Sequence, residues 1–310
     1  MRKMFILLIA AIWLTCTQCS ESATITPNPE QQQKEYKQPQ LKNGNLKVLA
    51  IGNSFIDDPM AYFNSIVVAS GIDRSHLCVY SAVISGASLK NWWDKYDSRD
   101  NVKITRRCGF LTMPVTEAPL KELLSQDWDI VTLQQVSTQS TEAKTFHPYL
   151  ENLVSSIHGL CTNPDVLIGW QLVWSYGDLS INDGVDEWLK MCLTLQAECN
   201  PYIDFVIPTG TAIQNARATS LNTPHGLTRD GKHLGYGAGR YIAACTWYQS
   251  LLAPAFGVSV LGNSAVHEIT ENERSSSRYE TIAVTSTNNT LCQQCVVAAV
   301  ENPFQLTFIE

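Results

Sequence analysis

Short apolar runs alternate with longer stretches of helical periodicity along most of this chain. The runs fall at 46–51, 78–84, 129–133, 166–170 and 205–207. Helical patterns follow near 59–69, 117–125, 147–160, 184–198 and 236–252. Such an alternation predicts an α/β fold, with a mostly parallel sheet covered by helices on both faces. The first helix has an apparent start signal, with Asp58 expected as N-cap and Pro59 at the first helical position. That placement leaves Ser54, in 47-KVLAIGNSFIDDPMAYF-63, in the loop leaving the carboxyl end of the first strand. Open α/β sheets bind their ligands at such strand ends.

The two ends of the chain break the pattern. Arg2 and Lys3 precede an apolar run from Phe5 to Leu14, shorter than the ~20 residues of a membrane span, so residues 1–22 are expected to be an export signal. Cys19-Ser20-Glu21-Ser22 resembles the start of a mature bacterial lipoprotein, with Cys19 as the lipidated residue, although Gln18 stands where that pattern wants a small side chain. Cleavage near Ala23 is the other possibility. Residues 23–45, with 27-PNPEQQQKEYKQPQ-40, carry no apolar period and are expected to be a tether. The α/β domain should then occupy 46–253, with 254–310 as an extension packed on it; 280–286 is strand-like and 291–301 helix-like. The expected location is periplasmic or at the cell surface, with membrane contact only through the N-terminal lipid.

Composition narrows the chemistry. With 310 residues, 45% hydrophobic and 16% charged, the chain can bury a sizeable core. Its net charge of −7 offers no basic field for a phosphate backbone, which excludes nucleic acid as an expected partner. Of ten cysteines, Cys16 and Cys19 belong to the leader, and the others are scattered except for 292-CQQC-295, expected to be a structural pair. His76, His147, His158 and His267 form no sequence cluster at metal-ligand spacing, so no metal is expected. His225 has no carboxylate at short spacing, and a loop or surface role is expected for it.

A serine in a strand-to-helix loop commonly caps backbone donors. A nucleophilic serine needs in addition a base and a group that orients the base. In 223-TPHGLTRDGKHLGYGAGRYIAACTW-247, Asp230 precedes His233 by three residues ahead of a long helix. In a turn, that spacing lets the carboxylate reach the imidazole and fix its tautomer.

Gly52-Asn53-Ser54, Gly86 in 84-ISGASL-89 and Asp230-x-x-His233 resemble the motifs of the SGNH, or GDSL-like, hydrolases. The segments 207-IPTGTAIQNAR-217, 228-TRDGKHL-234, 238-AGRYIAACTW-247 and 301-ENPF-304 resemble more closely an uncharacterised branch of that superfamily found in exported bacterial proteins. The resemblance covers about 46–310 and implies a three-layer, flavodoxin-like α/β/α sandwich. It implies Ser54 as nucleophile, His233 as base, Asp230 as its orienting acid, and the backbone N–H groups of Ser54 and Gly86 as oxyanion donors, with no cofactor. One motif departs: 133-LQQVSTQS-140 has no asparagine to complete the oxyanion hole. Gln135 and Gln134 carry the same amide on a longer arm, and either could replace it. Trp93 and Trp174 either line a substrate cleft or pack in the core. The implied activity is esterase action on a small ester, such as an acetyl group on a glycan. The alternative is a catalytically weak carbohydrate-binding surface lipoprotein of the same fold.

Overall fold

A computed structural model describes residues 34–42, 44–109 and 111–309. The expected leader, the Cys19 anchor and most of the tether lie outside these residues. In chain order the elements are β1 (Leu46–Gly52), α1 (Ser54–Ala69), β2 (Leu77–Val83), α2 (Leu89–Ser98), β3 (Asn101–Cys108), β4 (Leu111–Thr112) and β5 (Thr116–Pro119). There follow α3 (Leu120–Leu124), β6 (Ile130–Leu133), α4 (Tyr149–Leu160), β7 (Leu167–Gln171), α5 (Ile181–Thr194) and β8 (Phe205–Ile207). The remainder is α6 (Thr209–Arg217), α7 (Ala238–Phe256), α8 (Glu271–Ser276) and α9 (Asn289–Glu301). A π-helical turn at Leu195–Cys199 extends α5.

The strands form one sheet in the order β4-β3-β2-β1-β6-β7-β8, with β5 also paired to β3. β2, β1, β6, β7 and β8 are parallel, and they correspond to the five apolar runs. Helices α1, α6, α7 and α9 pack among themselves, while α2, α3 and α4 form a second group, giving the α/β/α layering. β6 and β8 are buried throughout and β1 nearly so, as strands covered on both faces must be. The chain leaves β1 for β2 on one side and returns to β6 on the other, so a topological switch point lies between β1 and β6 at the exit of Ser54.

β3, β4 and β5 are the strands the apolar runs do not announce. β3, Asn101–Cys108, pairs antiparallel with β2 and alternates buried Val102 and Ile104 with Asn101, Lys103 and Thr105 before Arg106 and Arg107. A disulfide links Cys78 to Cys108, directly opposed across this pair. Cys292 and Cys295 are buried thiols on α9, without a bond between them.

The start of α1 corrects the expected cap. Helix begins at Ser54, Asn53 is the N-cap, and Asp58 and Pro59 lie inside the helix and are buried. An interior proline removes the N–H that would bond the carbonyl four residues earlier. That carbonyl, Phe55, accepts instead from Gln171 Nε2 at 2.9 Å, and Gln171 Oε1 accepts from Trp247 Nε1 at 2.7 Å. The proline is thus tolerated because the end of β7 supplies the missing donor. The residues after 253 pack on the α/β domain: Gln293 of α9 donates to Tyr241 of α7, and Asn215 of α6 donates to the Cys295 carbonyl.

Candidate active site

Gly52 ends β1 where there is no room for a side chain. A Cβ there would lie 2.6 Å from Ile56 Cγ1 and 2.8 Å from Gln134 Cδ. Asn53 follows, buried, with both polar atoms of its side chain engaged. Its Oδ1 accepts from the Phe55 N–H at 3.0 Å, which caps α1, and from Gln134 Nε2 at 2.8 Å. Its Nδ2 donates to the Ala87 carbonyl at 3.0 Å. Ser54 therefore sits half-buried in the first turn of α1 on a turn fixed from both sides, at the positive end of the helix dipole.

The partner loop comes from 179 residues later in the chain. Ser54 Oγ lies 2.9 Å from His233 Nε2, and His233 Nδ1 lies 2.7 Å from Asp230 Oδ2. Asp230 Oδ1 accepts from the Lys232 and His233 amides at 3.0 and 2.8 Å. Partial burial would raise the Asp230 carboxyl, but the His233 ring and these two amides outweigh it and hold the group below its usual range. An ionised carboxylate only accepts, so Nδ1 carries a ring proton, and in the neutral ring Nε2 is the nitrogen left to accept from Ser54. Ser54, His233 and Asp230 are thus brought together with the contacts of a nucleophile, a base and its orienting acid.

Gly86 lies in the turn after β2, exposed, with φ +65°, a conformation that favours glycine. The turn is pinned next to Ser54 by Ile84 N–H to the Gly52 carbonyl at 3.1 Å and by Asn53 to the Ala87 carbonyl.

This chain belongs to the DUF4886 family. The family, described as a domain of unknown function, matches residues 47–287. Among solved structures, a DUF4886 family protein from Bacteroides uniformis ATCC 8492 superposes with a TM-score of 0.70 at 23% identity, over 86% of this chain and 98% of that one. Two mutant forms of Axe2 from Geobacillus stearothermophilus are also similar, each at 13% identity over 66% of this chain and 93% of the other. One is a mutant of the acetyl-xylooligosaccharide esterase, with a TM-score of 0.47. The other is a catalytic mutant of the acetylxylan esterase, with a TM-score of 0.48. No curated protein matches the chain.

Within this DUF4886 site the glutamines do not take the expected place. Gln135 is not free to donate: Oε1 accepts from the Leu89 and Val136 amides at 3.0 and 2.9 Å, and Nε2 donates to both the carbonyl and the hydroxyl of Thr145. Its oxygen ties down the start of α2 at Leu89, and its amide nitrogen is spent on Thr145 in the loop after β6. Gln134 is buried and spends its amide on Asn53. It lies against Gly52 and Asn53, behind the turn that carries Ser54.

Of the two tryptophans, Trp174 takes another role. Trp174 is fully buried, stacked on Phe55 at 4.1 Å between ring centroids, with Nε1 donating to the Lys232 carbonyl at 2.7 Å. Phe55 in turn packs edge-to-face with the His233 ring at 5.7 Å. Trp174 is therefore a packing support under the base loop and does not line a cleft. Trp93 is half-buried on α2 and stacks on Tyr96 at 5.0 Å. His225 does have a carboxylate partner: it bonds Asp178 Oδ1 at 3.1 Å while stacking on Tyr279 at 3.5 Å. Both partners are remote in sequence, so short spacing could not reveal them.

The extension takes part in the site's architecture. The Arg278 and Tyr279 amides both donate to the Arg229 carbonyl, at 2.8 and 3.1 Å, and the Ala238 amide donates to the Ile282 carbonyl at 2.7 Å. Segment 278–282 is thus bonded to both flanks of the loop that carries Asp230 and His233.

Proposed function

We propose that this protein is an exported serine esterase that hydrolyses a small ester, an acetyl group carried on a carbohydrate. The observation that supports it is the continuous hydrogen-bonded series from Ser54 Oγ to His233 Nε2 at 2.9 Å and from His233 Nδ1 to Asp230 Oδ2 at 2.7 Å. In this reading Ser54 Oγ attacks the ester carbonyl as His233 takes its proton. The N–H groups of Ser54 and Gly86, together with the dipole of α1, hold the oxyanion. Collapse expels the alcohol, which receives the proton from His233. Water, deprotonated by the same ring, then attacks the acyl-Ser54 carbonyl; collapse breaks the bond to Ser54 Oγ, which takes the proton back from His233 as the acid is released. Asp230 keeps the imidazole in one tautomer throughout and stays ionised. The basic, then apolar, start of the chain supports export, and Cys19 is the proposed lipid anchor.

One observation favours a second reading. The amide nitrogens of Gln135 and Gln134 bond Thr145 and Asn53, which counts against either glutamine as the third donor. One oxyanion donor is worth roughly 10²–10³ in kcat, and a site without it suits a weakly catalytic carbohydrate-binding lipoprotein. Turnover of p-nitrophenyl esters of increasing chain length separates the two. The esterase reading expects acetate to be the best substrate and Ser54→Ala to abolish turnover with an unchanged thermal melt. Equal turnover by wild type and Ser54→Ala would reject the nucleophile. An inactive wild type that binds acetylated oligosaccharide would favour the binding protein.

A further inference from the structure

Asp58 is a fully buried carboxylate, one helical turn beyond Ser54 on α1. Its Oδ1 accepts from Arg229 Nη1 at 2.8 Å and from Arg240 Nε at 2.9 Å, and its Oδ2 accepts from the Leu234 N–H at 2.8 Å. Arg229 and Leu234 are the residues on either side of the Asp230–His233 segment. Arg229 closes the same loop, because its Nη1 also donates to the Leu234 carbonyl and its amide donates to the His233 carbonyl at 2.9 Å. Arg240 belongs to α7, and both guanidinium groups lie over the Tyr236 ring, at 5.1 and 4.6 Å.

We infer that Asp58 is a positioning residue that sets the distance between the nucleophile and its base. The segment 228–234 is TRDGKHL, with a single large apolar side chain, so hydrophobic packing alone does not hold it in place. A carboxylate on the helix that carries Ser54 grips both ends of that loop, and a buried carboxylate with two guanidinium partners has little freedom to shift. Asp58 therefore registers the His233 loop directly against the helix that carries Ser54, alongside the contacts of that loop to Trp174 and to segment 278–282. The inference rests on the esterase reading for its rate measurements, while the geometry it claims can be observed without turnover.

The test uses the mature protein carrying Asp58→Asn, which keeps the shape but gives the two arginines a neutral amide, and Arg240→Gln, which removes one of the two guanidinium groups. Displacement of a catalytic group by about 1 Å costs about 100-fold in rate. Asp58→Asn should therefore lower kcat for p-nitrophenyl acetate by about 100-fold, and Arg240→Gln by roughly tenfold. KM should stay within about twofold for both, because the loss falls on the transition state. The proton NMR signal of His233 Nδ1–H, bonded to Asp230, should shift or broaden in both variants. Folded variants with unchanged kcat and an unchanged His233 signal would overturn the inference. Loss of near-UV circular dichroism in both would also overturn it, since Asp58 would then be holding the fold and not the loop. If wild type lacks esterase activity, the reaction is wrong, and the His233 signal alone still decides for or against Asp58.

Discussion

Replacing Asn53 by alanine tests the claim that the nucleophile's turn is held as a network. The side chain makes three bonds: it caps α1 through Phe55 N–H, it accepts the Gln134 amide, and it donates to the Ala87 carbonyl. Loss of an N-cap costs about 1 kcal/mol. Loss of the buried bond to Ala87 costs about 1 kcal/mol net, and leaving the Gln134 amide buried without its acceptor costs about 1–3 kcal/mol. The sum is about 3–5 kcal/mol. In a domain of this size each kcal/mol moves Tm by about 2–4 °C, so the melt should fall by roughly 10 °C. Asn53→Ser keeps a capping oxygen but cannot serve Gln134 and Ala87 as well, so it should recover only the capping share, about 1 kcal/mol. Denaturant unfolding of the three proteins, followed by circular dichroism, gives these differences directly. On the esterase reading turnover should fall in both variants, since the Gly86 turn loses one of its two ties beside Ser54. An Asn53→Ala protein within about 0.5 kcal/mol of wild type, or a serine variant as stable as wild type, would refute the network.

Two further outcomes are expected. His147 lies between Glu198 and Glu151, and although burial opposes its charge, the two carboxylates raise its pKa above the ordinary 6.5. Its contribution to stability is therefore complete below pH 6.5 and is lost as pH rises through the raised folded value. Denaturation midpoints should fall over that range in wild type and flatten in His147→Gln; parallel curves would refute the pairing. Removing the Cys78–Cys108 disulfide, whose ends are 30 residues apart, should cost about 3–4 kcal/mol by the loop-entropy relation. A Cys78→Ala/Cys108→Ala protein with an unchanged unfolding midpoint would show that the bridge constrains nothing.

The legible parts of the fold were those whose partners are generic. The β1, β6 and β8 runs are apolar because both of their faces are covered, and any apolar neighbour satisfies them. The Asp230–His233 contact was legible from a spacing of three residues, whereas its meeting with Ser54, 179 residues away, was legible only through the resemblance of the motifs. The illegible parts depend on specific polar partners far along the chain. β3 is an arginine-rich strand near the sheet edge, with only Val102 and Ile104 fully buried. α6 reads as polar, TGTAIQNAR, yet its first eight residues are buried. Thr211 and Asn215 are accommodated there because the chain end supplies the Pro303 carbonyl and the Thr307 amide. Asp58-Pro59 looks like a helix start because an aspartate before a proline has the same local chemistry at a cap and inside a helix. What differs is Arg229 and Arg240, 171 and 182 residues away. Gln135 misled for the same reason, since an amide at a strand end does not disclose that Leu89 and Thr145 will occupy it.

The same dependence on distant polar partners explains why the extension cannot be separated from the site. The base loop is polar apart from Leu234, and polar groups at a protein surface gain little from water exclusion. Its shape must come from bonds made to groups that are themselves fixed. Three of its anchors are buried Asp58 on α1, buried Trp174 beyond β7 through the Lys232 carbonyl, and the 278–282 segment through the Arg229 carbonyl and the Ala238 amide. The first two belong to the α/β layers. The third is held in turn by the bridge between His267 and Val284 and by Glu273, which bonds both His267 and Tyr62 of α1. Tyr62 accepts from the Gly237 amide, at the entry to α7. A closed circuit therefore runs from α1 through the extension to the base loop and back to α1 through Asp58. Ser54 and His233 lie on the two arms it joins, so a displacement of the extension relative to α1 must be felt in the distance between them.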